Sequence, residues 1–445
     1  MERDTQISPA GRFLRLFVDV KKREVEPAVL FFLFWFLVIL VFQVLKPLKK
    51  GLFVENLGAY VELYAKLANI GVAILAVVLF TVLYNKLGSR RLVAALCGIF
   101  ILALLGFAAV LGGGQPAPTT NWAFYLFGDA WSTIWVTTFW AYLNEMTKTE
   151  QSKRLYGLIG GGGVVGGLVG GITVWQLVEP LGAPALLIGC AVVTLVIGIL
   201  VWRTEAVAKT PDAAIGRSDA DQLHVEGEGK KMNAAVEGAR LAMASRYLLA
   251  IVMIVFLYEL VSQILDYQYS TQAETLTGAG ATQAFFGQIT TIIGVISVVT
   301  QFFLVSFVIR RFGITTALLV LPVAMAMASG VYFVAPVLWA GALLTISDNA
   351  FSYSMNQTAR ETLFVPTSAD VKYKARAFAN MFVQRFGKGI AIVMALGLTA
   401  IPIRFLSILA LAVIAIWSGF AIYAGRRFDS LTGDEAERRP QEAIA

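Results

Sequence analysis

Apolar runs of about twenty residues recur along the whole chain, at roughly 27–45, 60–84, 92–111, 122–144, 155–178, 183–202, 247–269, 285–308, 314–334, 336–356, 378–400 and 405–424. Each is long enough to cross a bilayer core of about 30 Å as a helix. In hydrocarbon the backbone N–H and C=O groups must pair within their own segment, so each run is predicted to be helical. The expectation is an all-α membrane protein with twelve transmembrane helices in two six-helix halves.

Short polar turns separate the runs, and their charge gives an orientation. Arg3, Arg12, Arg15, Lys21, Lys22 and Arg23 lie in the arm before the first run, Lys86, Arg90 and Arg91 follow the second, Lys148, Lys153 and Arg154 follow the fourth, and Arg426, Arg427, Arg438 and Arg439 form the tail. Alternate turns, such as 112–120 and 275–282, carry no Lys or Arg. Basic residues are retained on the cytoplasmic side, so both termini are expected there. The longest polar stretch, 203–246, falls midway and reads as a cytoplasmic linker. The domain reading is therefore a cytoplasmic arm at 1–26, a six-helix half at 27–202, the linker at 203–246, a second six-helix half at 247–425 and a tail at 426–445. A short basic turn with a glycine closes the second run at Asn85 to Arg91 and the eighth at Arg310 to Gly313. Matched positions of this kind in two halves, with a central loop, point to a major facilitator-like architecture.

Composition agrees with the pattern. Of 445 residues, 58% are hydrophobic and 15% charged, with a mean hydropathy of +0.72, well beyond an ordinary soluble domain. The net charge of +7 would suit nucleic acid, but most of the 36 Lys and Arg sit in the alternate basic turns, where they set topology instead. No nucleic-acid partner is expected, only membrane lipids and a solute. Cys97 and Cys190 lie in apolar runs and His224 in a polar loop without ligand partners, so neither a disulfide nor a metal site is expected. The polar residues before the first run, with no cleavage site after it, predict no removable signal peptide. The location expected is a bacterial inner, cytoplasmic membrane, with the chain monomeric.

A charge in mid-membrane costs at least about 2.5–3.5 kcal/mol, so it normally faces a cavity or a partner. The runs contain Glu62 and Lys66 at (i, i+4) spacing, Asp129, Glu259 and Asp266 two turns apart, Asp348, and Arg385 with Lys388. Glu62 and Lys66 read either as an intrahelical ion pair or as a functional pair. Asp129, Asp266 and Lys388 read either as interhelical salt bridges or as site residues. Lys46, Lys49 and Lys50 follow the first run in what is read as an outer-side loop, against the charge bias; an anionic solute or lipid head groups would explain them. In the fifth run Gly160 to Gly163, Gly166, Gly167, Gly170 and Gly171 lack the Gly-Lys-Ser/Thr ending of a phosphate loop and predict close helix packing.

Two stretches resemble a known family. FWAYLNEMT from Phe139, followed by SKRLYGLIG from Ser152, is similar to the FW-x-x-x-N-x-x-T … AKR-x-Y-x-L-x-G region of the ATP/ADP translocases of plastids and obligate intracellular bacteria and of their bacterial relatives. RETLFVP from Arg360, then KYKARAF from Lys372 and RFGK from Arg385, is similar to the E-x-L-[FY]-[IV]-P … K-x-K-[AG]-[KR]-A block of the second half. The resemblance implies a major facilitator-like carrier of nucleotides. It also implies that the family's functional lysine after helix one falls on Lys49 with Lys46 nearby, its acidic residues on Asp129 and Asp266, and its second-half lysine on Lys388 beside Arg385. The Arg-Asp-x-Lys-Asp pattern of the resembled family reads Lys46-Pro47-Leu48-Lys49-Lys50 here, with both acids gone, and the two acidic positions carry Asp in place of Glu.

The reading is a secondary transporter using alternating access, with a small anionic solute, ATP or ADP among the candidates. Lys46, Lys49, Asp129, Asp266, Arg385 and Lys388 are the substrate-binding candidates. Glu62, Lys66, Glu259, Asp348 and Asn144 are candidates for coupling or gating. A proton-coupled exporter, a lipid flippase and a non-transporting scaffold stay open as alternatives. No cofactor is implied, and no nucleophile–base set points to an enzyme.

Overall fold

The computed structural model describes residues 24–147, 149–208, 237, 239–367, 369–398 and 401–442. The basic arm before residue 24, Lys148, His224 with most of the 203–246 segment, and the last three residues lie outside the described residues. Among the described residues the regular elements are all helical. They run as α1 (Val25–Leu57), α2 (Ala59–Gly112), α3 (Pro118–Met146), α4 (Thr149–Ala208), α5 (Arg246–Ala273), α6 (Ala281–Val299), α7 (Val305–Val334), α8 (Leu338–Phe351), α9 (Gln357–Leu363), α10 (Ala369–Phe378), α11 (Gln384–Gly397) and α12 (Leu406–Glu442). Single π-helical turns, Thr300–Leu304, Ser352–Asn356 and Ala379–Val383, join α6 to α7, α8 to α9 and α10 to α11.

Three of these helices are broken internally, at Gly88 in α2 (φ 69°), Gly182 in α4 (φ 78°) and Gly313 in α7 (φ 82°). Positive φ is cheap only for glycine, which is why each turn uses one. The breaks fall where the sequence predicts short turns between apolar runs. Among the described residues eight helices are long and apolar enough to cross a membrane, including the 53-residue Leu155–Val207, which the Gly182 break divides. Twelve spans are expected from the sequence, and eight candidates stand against them among the described residues.

One prediction of the sequence is corrected. Residues 46–53 were expected as an outer-side loop, but α1 runs unbroken through them to Leu57 with Pro47 inside. The reason is local neutralisation. Lys49, 6% exposed, is paired with Asp129 and lies over the Tyr125 ring at 4.5 Å, so its charge does not force the chain out of the helix.

The chain divides into two compact units. The first comprises residues 1–57, 68–222 and 277–291, and the second residues 58–67, 223–276 and 292–445. In the first, the core is aromatic: Phe34 stands edge-on to Phe139 at 5.0 Å and Trp35 stacks on Phe139 at 4.4 Å. The glycines of α4 lie directly on α1. A Cβ at Gly162 would come within 2.5 Å of the Phe32 carbonyl oxygen, and one at Gly170 within 2.7 Å of that of Leu40. Only glycine permits that approach. The second unit packs α5 against α8, α11 and α12, and α7 against α8 and α12, around Ile251, Ile254, Leu321, Tyr332 and Trp417. In both units large apolar side chains such as Leu102 and Met327 point outward, as befits a chain whose solvent is lipid.

Candidate functional site

Polar side chains of the second unit are concentrated in one place. A cavity of about 420 Å³ is lined by fifteen residues, and every one of them is polar. Three stretches of chain supply them at four-residue steps: Tyr258, Ser262 and Asp266 from α5; Asp348, Ser352, Asn356 and Arg360 from α8 and α9; Asn380, Gln384 and Lys388 from the run ending in α11. In a regular α-helix each four-residue step drifts about 40° around the axis, so such a stripe would wind away from one face. The wide turns at Ser352–Asn356 and Ala379–Val383 take part of that rotation back, and both lie within the stripes that reach the cavity. π-turns of this sort recur at functional sites because they re-aim side chains in this way.

The charges around the cavity are matched. Lys66, from the first turns of α2, reaches Asp266 at 2.5 Å and Glu62 at 3.6 Å. Lys388 faces Glu259 at 3.8 Å, and Arg376 pairs with Glu361. Asp348, 4% exposed, accepts hydrogen bonds from the hydroxyls of Tyr258 at 3.1 Å and Ser262 at 2.5 Å. Burying a charge without a partner would cost several kcal/mol, which explains why each carboxylate has one. Such pairs are also exchangeable: an anion entering the cavity offers Lys388 a second partner and competes with Glu259 for it.

The first unit holds its own deep pair, Lys49 with Asp129. Gly128 leaves room for it, since a Cβ there would lie 2.7 Å from Cδ of Lys49. Ser132 and Thr133 return their hydroxyls to the Asp129 carbonyl at 2.8 and 2.9 Å and leave the carboxylate to the lysine.

The residues singled out from sequence are therefore distributed as follows. Asp266, Glu259, Asp348 and Lys388 line the cavity of the second unit described above, with Lys66 paired to both Asp266 and Glu62. Asp266 is held by Lys66. Lys49 and Asp129 form the pair of the first unit, where Lys46 is exposed and Asn144 accepts a hydrogen bond from Tyr156 at 2.5 Å. Arg385 is exposed and is not part of the cavity lining. Sequence reasoning passed over Ser352, Asn356, Arg360, Gln384 and Tyr258. Neutral polar side chains carry little cost in a hydropathy count, and Arg360 lies just beyond the predicted span ending at 356. The four-residue period of 348, 352, 356 and 360 was the signal that could have found them.

The chain is 25% identical to ADP,ATP carrier protein 1 of Chlamydia pneumoniae, with 93% of each chain covered. It is 21% identical to ADP,ATP carrier protein 3 of Rickettsia bellii, covering 93% of this chain and 96% of that one. Among solved structures, it is similar to a bacterial homologue of the iron transporter ferroportin in an inward-facing state (TM-score 0.62, 12% identity, 90% of this chain and 98% of that one). It is also similar to the nucleoside transporter NupG (TM-score 0.58, 14% identity, 91% and 98%). These likenesses carry the fold, an all-α major facilitator-like membrane protein. The profile of the TLC ATP/ADP transporter family matches residues 4–117 and 113–346, more than half of the chain, and the chain belongs to that family of multi-pass membrane transporters.

Proposed function

We propose that this protein carries an adenine nucleotide across a bacterial cytoplasmic membrane by alternating access, exchanging one nucleotide for another, with both chain termini on the cytoplasmic side. The observation that carries the reading is the cavity of the second unit: a wholly polar lining inside helices whose outward faces are apolar. Polar groups at membrane depth serve substrates or ions far more often than they serve stability. Relatives matched over nearly their whole length are named as ADP,ATP carriers, which supports a nucleotide as the solute.

The pairs suggest why transport would be an exchange. Lys388 with Glu259, and Lys49 with Asp129, are cations already held by carboxylates. A nucleotide phosphate would take over the lysine, and its departure returns the lysine to the acid. Reorienting without either partner would leave charges exposed in a low-dielectric path, which raises the barrier for an empty carrier. The test is uptake of labelled ATP into proteoliposomes preloaded with unlabelled ADP, ATP or buffer. Uptake well above protein-free vesicles, and only with an internal nucleotide, is the expected result. Equal uptake into empty and preloaded vesicles would overturn exchange, and no uptake under any preload would overturn the nucleotide reading.

A further inference from the structure

Along one stripe of the cavity, polar atoms lack partners. Ser352, Asn356 and Arg360 stand at successive four-residue steps and all line it. Oγ of Ser352, both Nδ2 and Oδ1 of Asn356, and Nη1 of Arg360 are buried with no hydrogen-bond partner. Asn356 is 1% exposed and Ser352 6%. A buried donor or acceptor left unpaired costs roughly 1–3 kcal/mol, so a cluster of four on a single cavity wall calls for a ligand. The carboxylates of the lining differ: Asp348 is held by two hydroxyls, Glu259 by Lys388, Asp266 by Lys66 and Glu361 by Arg376.

The order of groups on the stripe carries chemical information. Beyond Asp348 come a hydroxyl, then a carboxamide, then a guanidinium, over twelve residues or about 18 Å of helix. A guanidinium with a buried unpaired Nη1 suits a phosphate, which it can bind by charge-assisted hydrogen bonding. A carboxamide with both its donor and its acceptor unpaired suits a neutral group that offers one of each, as the edge of a nucleobase does. Resting on the nucleotide reading above, we propose that Arg360 binds the phosphate chain of the transported nucleotide while Asn356, one turn away, binds its nucleoside part, so that the substrate lies along this stripe with its phosphates toward α9.

The two roles separate chemically. The full-length protein in detergent is titrated with ATP, tripolyphosphate and adenosine, and binding is followed by the shift in its melting temperature. Arg360→Lys keeps the charge and loses the fork. It is expected to weaken ATP and tripolyphosphate by roughly tenfold or more while leaving adenosine unchanged. Asn356→Ala is expected to weaken ATP and adenosine by roughly fivefold and to leave tripolyphosphate unchanged. Unliganded melting temperatures within a few degrees of wild type show that each variant is folded; if Arg360→Lys is not, the Asn356→Ala arm decides alone. Parallel losses of both partial ligands in either variant, or no loss in both, would overturn the proposal while the nucleotide reading stands. If wild type responds to none of the three ligands, the nucleotide reading itself fails and this assignment with it.

Discussion

Lys49 and Asp129 show what a single buried charge requires. Lys49 is 7% exposed at its side chain and Asp129 22%, and the two are in direct contact, with the Tyr125 ring beneath the ammonium. Removing one partner strands the other, at a cost of about 3–5 kcal/mol, whereas removing both avoids that penalty. Lys49→Ala is therefore expected to lower the melting temperature in detergent more than the double variant Lys49→Ala with Asp129→Ala. The reverse order would mean that the lysine contributes packing and not charge balance. Charges of this kind were legible from sequence because their cost in hydrocarbon is large: Asp129, Glu259, Asp266, Asp348 and Lys388 all stand out from the runs that contain them. Asn356 and Ser352 did not stand out. An amide or hydroxyl inside an apolar run is inexpensive enough to pass as ordinary helix, and only the surrounding cavity reveals what it faces.

At the level of the element, the glycine face of α4 is the part on which close packing of the first unit depends. A methyl group at Gly166 would overlap the Phe36 carbonyl oxygen and lie 3.2 Å from the Leu40 nitrogen, both backbone atoms of α1 that cannot rotate away. Gly160, on the same helix, has no heavy atom within 4 Å of the corresponding position. Gly166→Ala should cost about 1–3 kcal/mol by overpacking, seen as a melting temperature lowered by several degrees. Gly160→Ala should be neutral or slightly stabilising, since alanine is the better helix former by about 0.5–1 kcal/mol. Equal effects at the two positions would refute the account. The sequence predicts this packing from glycines at three- and four-residue steps, but it misplaces the end of α1. Proline and three lysines read as a loop because a hydropathy pattern cannot see that Asp129, some eighty positions on, neutralises Lys49. The π-turns were equally invisible, since they are set by which side chains must share a face and not by local propensity.

At the scale of the whole molecule, the compact units do not coincide with the chain's two halves. The first unit includes residues 277–291 and the second includes 58–67. These borrowed segments are integral to the units that hold them. Gln283 donates to Glu55 at 2.8 Å and sits where a Cβ on Gly51 would be, while Thr291 and Gly287 lie against Gly171 and Val174. In the second unit, Lys66 neutralises Asp266, the Glu274 carboxylate accepts from the Ala59 backbone N–H at the start of α2, and Ala59 and Leu63 belong to the apolar core. A fragment of residues 1–222 therefore lacks a wall of its own unit, and a fragment of 223–445 would leave Asp266 without its lysine. Each fragment expressed alone should be recovered at low level and be rapidly degraded. Coexpression should restore both, as a complex that copurifies on a tag carried by only one of them. Because the exchanged segments supply charge as well as packing, Lys66→Ala in the first fragment should lower that recovery more than Tyr64→Ala, whose side chain is 44% exposed. Recovery of either fragment by itself at the level of the full chain would show that its unit is complete without the borrowed segment.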